Sequence, residues 1–457
     1  MKKKRILLVC NYFAPENAIA AVRTSKLAKH FKANGYEIDV LTEQKENMAI
    51  DETLAEDAEG IRVFRVKNSK ICIAMCKWYE SIIRPHKDKR FKRLDNRERV
   101  NPKTGHKEFY TFETAYPVIG SLDYIVGQLR QLNLARAANK LVSQLAEDYD
   151  ILITSYGDSF CYFVGKSFKN KRKEIPWIFD IRDPVYLYKA TPDYVKWIPL
   201  GYEKYIWKHA DAIVGISKGI CRRVSAKYRS KVTCITNGYE KDIISDQDKE
   251  RISDKLSFTY TGSMYGGLRD LSEFFETIRF LVEEKRMDTD IIEFHYAGNA
   301  PAYEIFKNQA GKYGLDNHCV YHGKLSRKES MKLQRKSDIL LMASYDYQSN
   351  NGGIITGKIF EYMGGEKPVI AVVTGDIEDS EVSQIISKTN IGICCEYAKG
   401  RADQNRLKDY IFEQYLHFKD KEPLVYEPVI HEVKKYDYKN IAKRYIMLMR
   451  HLEQRRL

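Results

Sequence analysis

Along this chain, short apolar runs alternate with longer stretches whose apolar positions recur every three or four residues. Runs of strand length stand at 5–11, 37–42, 61–66, 150–155, 176–181, 212–217 and 231–236. A second series follows at 256–261, 291–297, 319–323, 338–343, 368–373 and 391–395. Between them lie amphipathic segments at 18–34, 122–146, 271–284, 327–335, 358–363 and 406–418. Strands separated by such helices predict βαβ units and parallel sheets, and right-handed crossovers then wind helices over both sheet faces. The predicted fold class is α/β, and two strand series argue for two doubly wound domains.

The boundary is expected in EKDIISDQDKERISDK (240–255), which is charge-dense and has no apolar period. That divides the chain into a first domain over 1–245, a second over 246–430 and a terminal segment over 431–457. The terminal segment ends in a predicted helix near 438–453 with Ile441, Tyr445, Ile446 and Met449 on one face. That face is expected to cross back onto the first domain. Ligands of doubly wound sheets bind beyond the carboxyl ends of the strands. Two such domains facing each other therefore make a cleft suited to two bulky substrates.

Composition narrows the class. The 457 residues are 44% hydrophobic and 30% charged, which excludes wholesale disorder and allows a large core without staples. The nine cysteines lie mostly in apolar runs, and no second Cys or His pair stands at zinc-finger distance. No disulfide framework, structural metal or resident cofactor is expected. The apolar run after MKKKR is too short for a signal-peptide core, and no window reaches the roughly 18 apolar residues of a spanning helix. A cytoplasmic chain with reduced thiols is the expectation.

Charge adds a possible partner. The net charge is +14, and 81–107 alone carries ten Lys/Arg against three Asp/Glu, half of that excess. Just upstream, ICIAMCKWYESII (71–83) is apolar. An apolar stretch followed by a polybasic one, together 71–107, reads as peripheral attachment to an anionic membrane surface. The bland alternative is a solvated loop. Nucleic acid is not expected, because no RNA-binding or helix-turn-helix pattern accompanies the charge.

The most informative run is GGIITGKIFEYMGGEKPVIA (352–371). It can be a plain turn, short helix and buried strand. Read by position, the amides of Gly353, Ile354 and Ile355 would head the helix bearing Lys358 and Glu361. Free amides at a helix start form an anion site, and Lys358 adds a full cation. Glu361, one turn on, can accept from paired hydroxyls such as those of a ribose. The set suits a sugar nucleotide as donor, and Gly323 and Lys324 beside His322 could meet its base. Arg182 and Asp183 fit either a buried ion pair or acceptor contacts at the cleft mouth. Arg23 fits a solvated helix face or, just past the first loop, a phosphate-facing role.

In order along the chain, RILLVCNYFAPENAIAAVRTSKLAKHFKANGYEIDVLT, PWIFDIRDP, HADAIVGIS, TNGYE, YTGSMYGGLRD and KIFEYMGGEKPVIA resemble glycosyltransferase family 4, of the GT-B fold. The resemblance spans nearly the whole chain. It implies a retaining transfer from a nucleotide sugar, UDP-linked, to a glycan or lipid-linked acceptor in building a bacterial surface polysaccharide. It matches Glu361 to the glutamate that binds ribose and Arg269 to the cation that holds the donor diphosphate. It also implies a metal-free site and an internal-return route, in which the donor phosphate takes the acceptor proton. There are departures. Gly353 stands where the family has its first glutamate, and Ser263 where many members have arginine, so Arg269 and Lys358 would share the diphosphate. Ala20 and Ala21 replace a Gly-Gly, and Tyr162 or Cys161 falls where relatives place a histidine beneath the sugar. Gly353 and Ser263 favour the rival reading of a catalytically silent GT-B binding or scaffold subunit.

Overall fold

The computed structural model describes residues 3–45, 48–94, 99–100, 107–108, 116–145, 149–186, 191–240, 250–347 and 353–455. Much of the basic stretch and the 241–249 part of the expected boundary lie outside the described residues.

Thirteen strands form two parallel sheets. The first joins β1 (Arg5–Cys10), β2 (Glu37–Glu43), β3 (Arg62–Val66), β6 (Ile151–Tyr156), β7 (Trp177–Ile181), β8 (Ala212–Gly215) and β9 (Val232–Cys234). Their order is β3-β2-β1-β6-β7-β8-β9. A short antiparallel pair, β4 (Arg99–Val100) and β5 (Lys107–Glu108), stands apart from it. The second sheet holds β10 (Leu256–Thr261), β11 (Ile292–Ala297), β12 (Cys319–Tyr321), β13 (Ile339–Asp346), β14 (Val369–Gly375) and β15 (Gly392–Glu396), ordered β12-β11-β10-β13-β14-β15. Helices cover both faces, so strands such as RILLVC and VIAVVTG bury consecutive side chains instead of alternate ones. All thirteen runs read as strands from the pattern are strands of these sheets.

Register fixes which core each strand serves. Leu7 lies beside Asp39 and Leu152, and Phe258 beside Phe294 and Ile339. On one face of the second sheet, Phe258, Phe274, Phe275, Phe294 and Phe306 form an aromatic core. Strand order reverses beside β1 in one sheet and beside β10 in the other, and such switch points open crevices at the strands' carboxyl ends.

The terminal helix, Tyr438–Gln454, is capped by Asp437 and crosses back as expected. Ile441, Tyr445 and Met449 complete a core with Ile6, Leu8 and Phe31 of the first domain. Entry to it is pinned where Tyr239 N–H donates to Tyr436 O at 2.9 Å and Tyr438 N–H to Tyr239 O at 3.0 Å. Across the domain seam, the Glu381 carboxylate accepts from the Lys218 and Gly219 amides at 2.8 and 2.7 Å. Those amides head helix Lys218–Arg223, where a carboxylate also meets the positive end of the helix dipole.

Candidate active site

β10 ends at Thr261 and turns through Gly262, whose φ of +103° only glycine adopts freely. A Cβ there would also collide with the Lys358 ammonium. Past this turn, Arg269 Nη1 donates to Ser263 O at 3.0 Å, and its guanidinium covers the Tyr265 ring at 4.3 Å. Ser263 itself is exposed. Arg269 Nη2 reaches toward Thr356 Oγ1 at 3.4 Å, which links this turn to the helix bearing Lys358.

Lys358 opens helix Lys358–Gly365, with Nζ 5.3 Å from the centre of the Tyr260 ring. Burial pushes its ammonium down to about 8, and Arg269 adds to the fall while Glu361 opposes it. A lysine held this way gains from any anion that reaches it. Glu361, one turn further, accepts from Gln334, a buried side chain on helix Arg327–Lys336. Glu361 faces a cavity of about 240 Å³ between the domains, whose walls include Ala20, Arg182 and Asp183 on one side and Arg327 and Ile355 on the other.

The geometry departs from expectation at several positions. Gly353, Ile354 and Ile355 do not head the helix, which begins at Lys358 with Gly357 as its cap. The Gly353 amide donates to Asp346 Oδ2 at 3.0 Å, and Ile354 also donates to that carboxylate. Burial lifts the Asp346 carboxyl to about 6 despite those two donors. Gly353 is packed on the domain seam, where a Cβ would stand 2.5 Å from Gly219 Cα.

Arg23 touches the cavity wall, but its guanidinium is already committed to other groups. It is buried, with Nη2 and Nε on the two oxygens of Asp180 at 2.9 and 3.1 Å, and Nη1 on Thr236 O at 2.6 Å and Asn237 Oδ1 at 3.3 Å. Nη2 also meets Ile235 O and the Tyr445 hydroxyl, so every N–H of the guanidinium has an acceptor. Tyr162 is no sugar contact here, for its ring stacks on Tyr202 at 4.3 Å inside the first domain. The neighbouring Cys161 points under β1 instead, with Sγ 3.2 Å from Asn11 Oδ1. Ala21 is wholly buried in the core, whereas Ala20 lines the cavity and takes a hydrogen bond from Arg182. Arg182 and Asp183 therefore make no ion pair with each other among the described contacts, and both stand at the cavity. Gly323 and Lys324 follow β12, two strands from β10, where Lys324 is exposed and the Gly323 carbonyl accepts from Gly298.

Arg327, Gln334 and Asp346 were not anticipated. Arg327 crosses the cleft to Thr53 Oγ1 at 3.1 Å, and its Nε is buried with no acceptor among the described residues. The Ser326–Glu329 capping box announced this helix start in the sequence, but nothing local said what the helix would face.

The chain matches no family model and no curated protein. Solved structures do resemble it over their full length. Sucrose-phosphate synthase from Thermosynechococcus elongatus is 14% identical with a TM-score of 0.56, covering 99% of this chain and 100% of that one. An α,α-trehalose-phosphate synthase (UDP-forming) from Burkholderia vietnamiensis is 11% identical with a TM-score of 0.58, over 98% and 100%. The lipopolysaccharide outer core galactosyltransferase WaaB in its apo form is 11% identical with a TM-score of 0.54, over 96% and 98%. The fold is GT-B. In this GT-B chain, Arg269 and Lys358 stand at the carboxyl end of the second sheet, and Arg182 faces, from the first domain, the cavity that Glu361 lines.

Proposed function

We propose that this chain is a glycosyltransferase that moves a sugar from a nucleotide-sugar donor, UDP-linked, to a hydroxyl of a glycan or lipid-linked acceptor. The observation that carries this reading is Lys358, desolvated beside Arg269, with Glu361 one turn on facing the interdomain cavity. The donor's diphosphate gains negative charge as it departs, and cations already in place stabilise that charge without reorganising. Glu361, oriented by Gln334, accepts from the ribose hydroxyls. Ala20, Arg182 and Asp183 form the acceptor wall.

Transfer proceeds with retention. The anomeric C–O bond to phosphate breaks and its electrons stay on the phosphate oxygen. That oxygen takes the acceptor hydroxyl's proton as the acceptor oxygen bonds to the same face of the sugar, so no side-chain nucleophile is required. The product belongs to a surface polysaccharide assembled at the cytoplasmic side of the membrane.

A screen of UDP-, GDP- and dTDP-sugars with lipid-linked and soluble acceptors tests the reading. Glu361→Ala and Arg269→Ala are each expected to lower kcat/KM by about 10²–10³. Near-parental rates in both variants would overturn the site assignment. A second reading, a silent GT-B subunit, is favoured by the Asp346 carboxylate, which already occupies the Gly353 and Ile354 amides. Calorimetry with UDP and GDP separates the two, since absence of heat with either nucleotide supports the silent subunit.

A further inference from the structure

The first domain carries a paired-helix overhang that the cleft does not use. Helix Lys70–Leu94 leaves the carboxyl end of β3, and helix Pro117–Leu145 leads back into β6. They run antiparallel, tied where Ser69 N–H donates to Asn133 Oδ1 at 2.9 Å and the Tyr79 hydroxyl donates to Asp123 Oδ1 at 2.8 Å. The second helix has 29 residues, about 43 Å at helical rise, against six residues in β6. Its later part buries Leu134, Ala135, Ala138 and Val142 in the domain core. Its earlier part projects past the carboxyl edge of the sheet, the edge on which the cleft opens.

On that projecting part, apolar side chains face water at helical spacing. Ile71, Met75, Trp78 and Ile82 form one stripe, with Trp78 67% exposed, and Val118, Leu122, Ile125 and Leu129 form another, with Leu129 57% exposed. The offsets of four, seven and eleven residues are the same on both helices, so each stripe is one continuous helix face. Tyr194 and Trp197 are also exposed, beside the turn Asp193–Val195 that packs on the second helix. Half of the exposed large hydrophobics among the described residues gather on these two helices and at that turn. Scattered exposure needs no explanation, but a patch of this extent marks an interface. Exposed Lys67, Lys70 and Lys77 accompany the first stripe, and the sequence that follows it carries the +7 of 81–107.

We infer that this overhang docks on an anionic lipid surface, with both stripes entering the headgroup boundary and the lysines facing lipid phosphates. Charge selects the occupant, since a cationic fringe around apolar stripes complements an anionic bilayer and would repel a second copy of itself. Among the described residues no helix is long and apolar enough to cross a membrane, which fits docking rather than spanning. The site lies on the rim of the cleft, where an acceptor carried in the bilayer would be presented. Docking itself does not rest on the transferase reading, and its failure would leave the donor assays untouched.

The test is co-sedimentation of the full chain with large unilamellar vesicles of phosphatidylcholine, with and without phosphatidylglycerol. Binding is expected only with the anionic lipid, and it should weaken severalfold as salt screens the lysines, by roughly the amount set by a Debye length of about 10 Å at 0.1 M. Ile71→Ser with Trp78→Ser, and separately Leu122→Ser with Leu129→Ser, should each lower the partition coefficient at least about tenfold while the melting temperature stays unchanged. Equal binding to neutral vesicles, or parental binding by both serine pairs, overturns the proposal. So does a dimer in solution that the same serine pairs dissociate, because the occupant is then a second copy.

Discussion

Replacing Lys358 by methionine probes both the stability and the charge logic of the cleft. The lysine's fall from 10.5 to about 8 means that holding it charged in the folded protein costs roughly 3 kcal/mol at neutral pH. Methionine keeps most of the side chain's reach and carries no charge to desolvate. We expect Lys358→Met to be more stable than the parent by about 1–3 kcal/mol at neutral pH, or about 3–8 °C in the second domain's Tm. The difference shrinks with pH in a defined window. Above about 8 the folded parent releases this proton, whereas the unfolded chain keeps it up to 10.5, so the parent gains stability relative to the variant across that interval. The gap should therefore close by about pH 10. A bound diphosphate restores the lysine's proton. Calorimetry of UDP binding at about pH 9, in buffers of different ionisation enthalpy, should show proton uptake in the parent and none in the variant. Differential scanning calorimetry from neutral to alkaline pH supplies the stability arm. A variant less stable than the parent at neutral pH, or a difference that ignores pH, would refute the picture of a desolvated cation awaiting an anion.

Two further perturbations address the frame around the cleft. Asp180→Asn strands the buried Arg23 guanidinium and is expected to lose about 3–5 kcal/mol by urea unfolding. Asp180→Leu combined with Arg23→Met should lose less than Asp180→Asn alone, and an equal or larger loss in the double variant would show that the pair itself was not the cause. Gly353→Ala forces a Cβ against Gly219 at a φ of +81°. We expect it to cost about 2 kcal/mol or more and to part the domains, visible as a larger radius of gyration by small-angle scattering. Unchanged scattering and Tm would mean the seam does not depend on that contact.

The strands were legible because both sheets are covered on both faces, so each strand needs a continuous apolar run that stands out from its surroundings. The return of Tyr438–Gln454 was legible from the spacing of Ile441, Tyr445 and Met449. What escaped was direction. Arg23 and Arg182 both reach the cavity wall, yet the Arg23 guanidinium is taken up by Asp180, Tyr445 and three carbonyl or amide oxygens that follow β9, while Arg182 bonds to the Ala20 carbonyl beside the cavity. Those partners lie up to 422 positions away in sequence, beyond any local pattern. Gly353 shows the same limit. Its glycine character suggested an anion loop, but the structure uses it to admit Gly219 from the other domain. The membrane-facing reading of 71–107 rested on the apolar run 71–83 and the basic run after it. The second stripe, at 118–129, became visible only once the fold set its helix beside the first.

The terminal helix also sets an order of events during synthesis. Ile441, Tyr445 and Met449 close the core around Ile6 and Leu8, and Tyr445 caps the Arg23–Asp180 pair. A ribosome adding about 5–20 residues each second makes the first sheet early but leaves that face uncovered until the helix emerges. The second domain is contiguous between β10 and β15 and can close first. The part of the chain made first is thus the last to be finished, and until then its apolar face and buried charge pair are the surfaces a chaperone would have to shield.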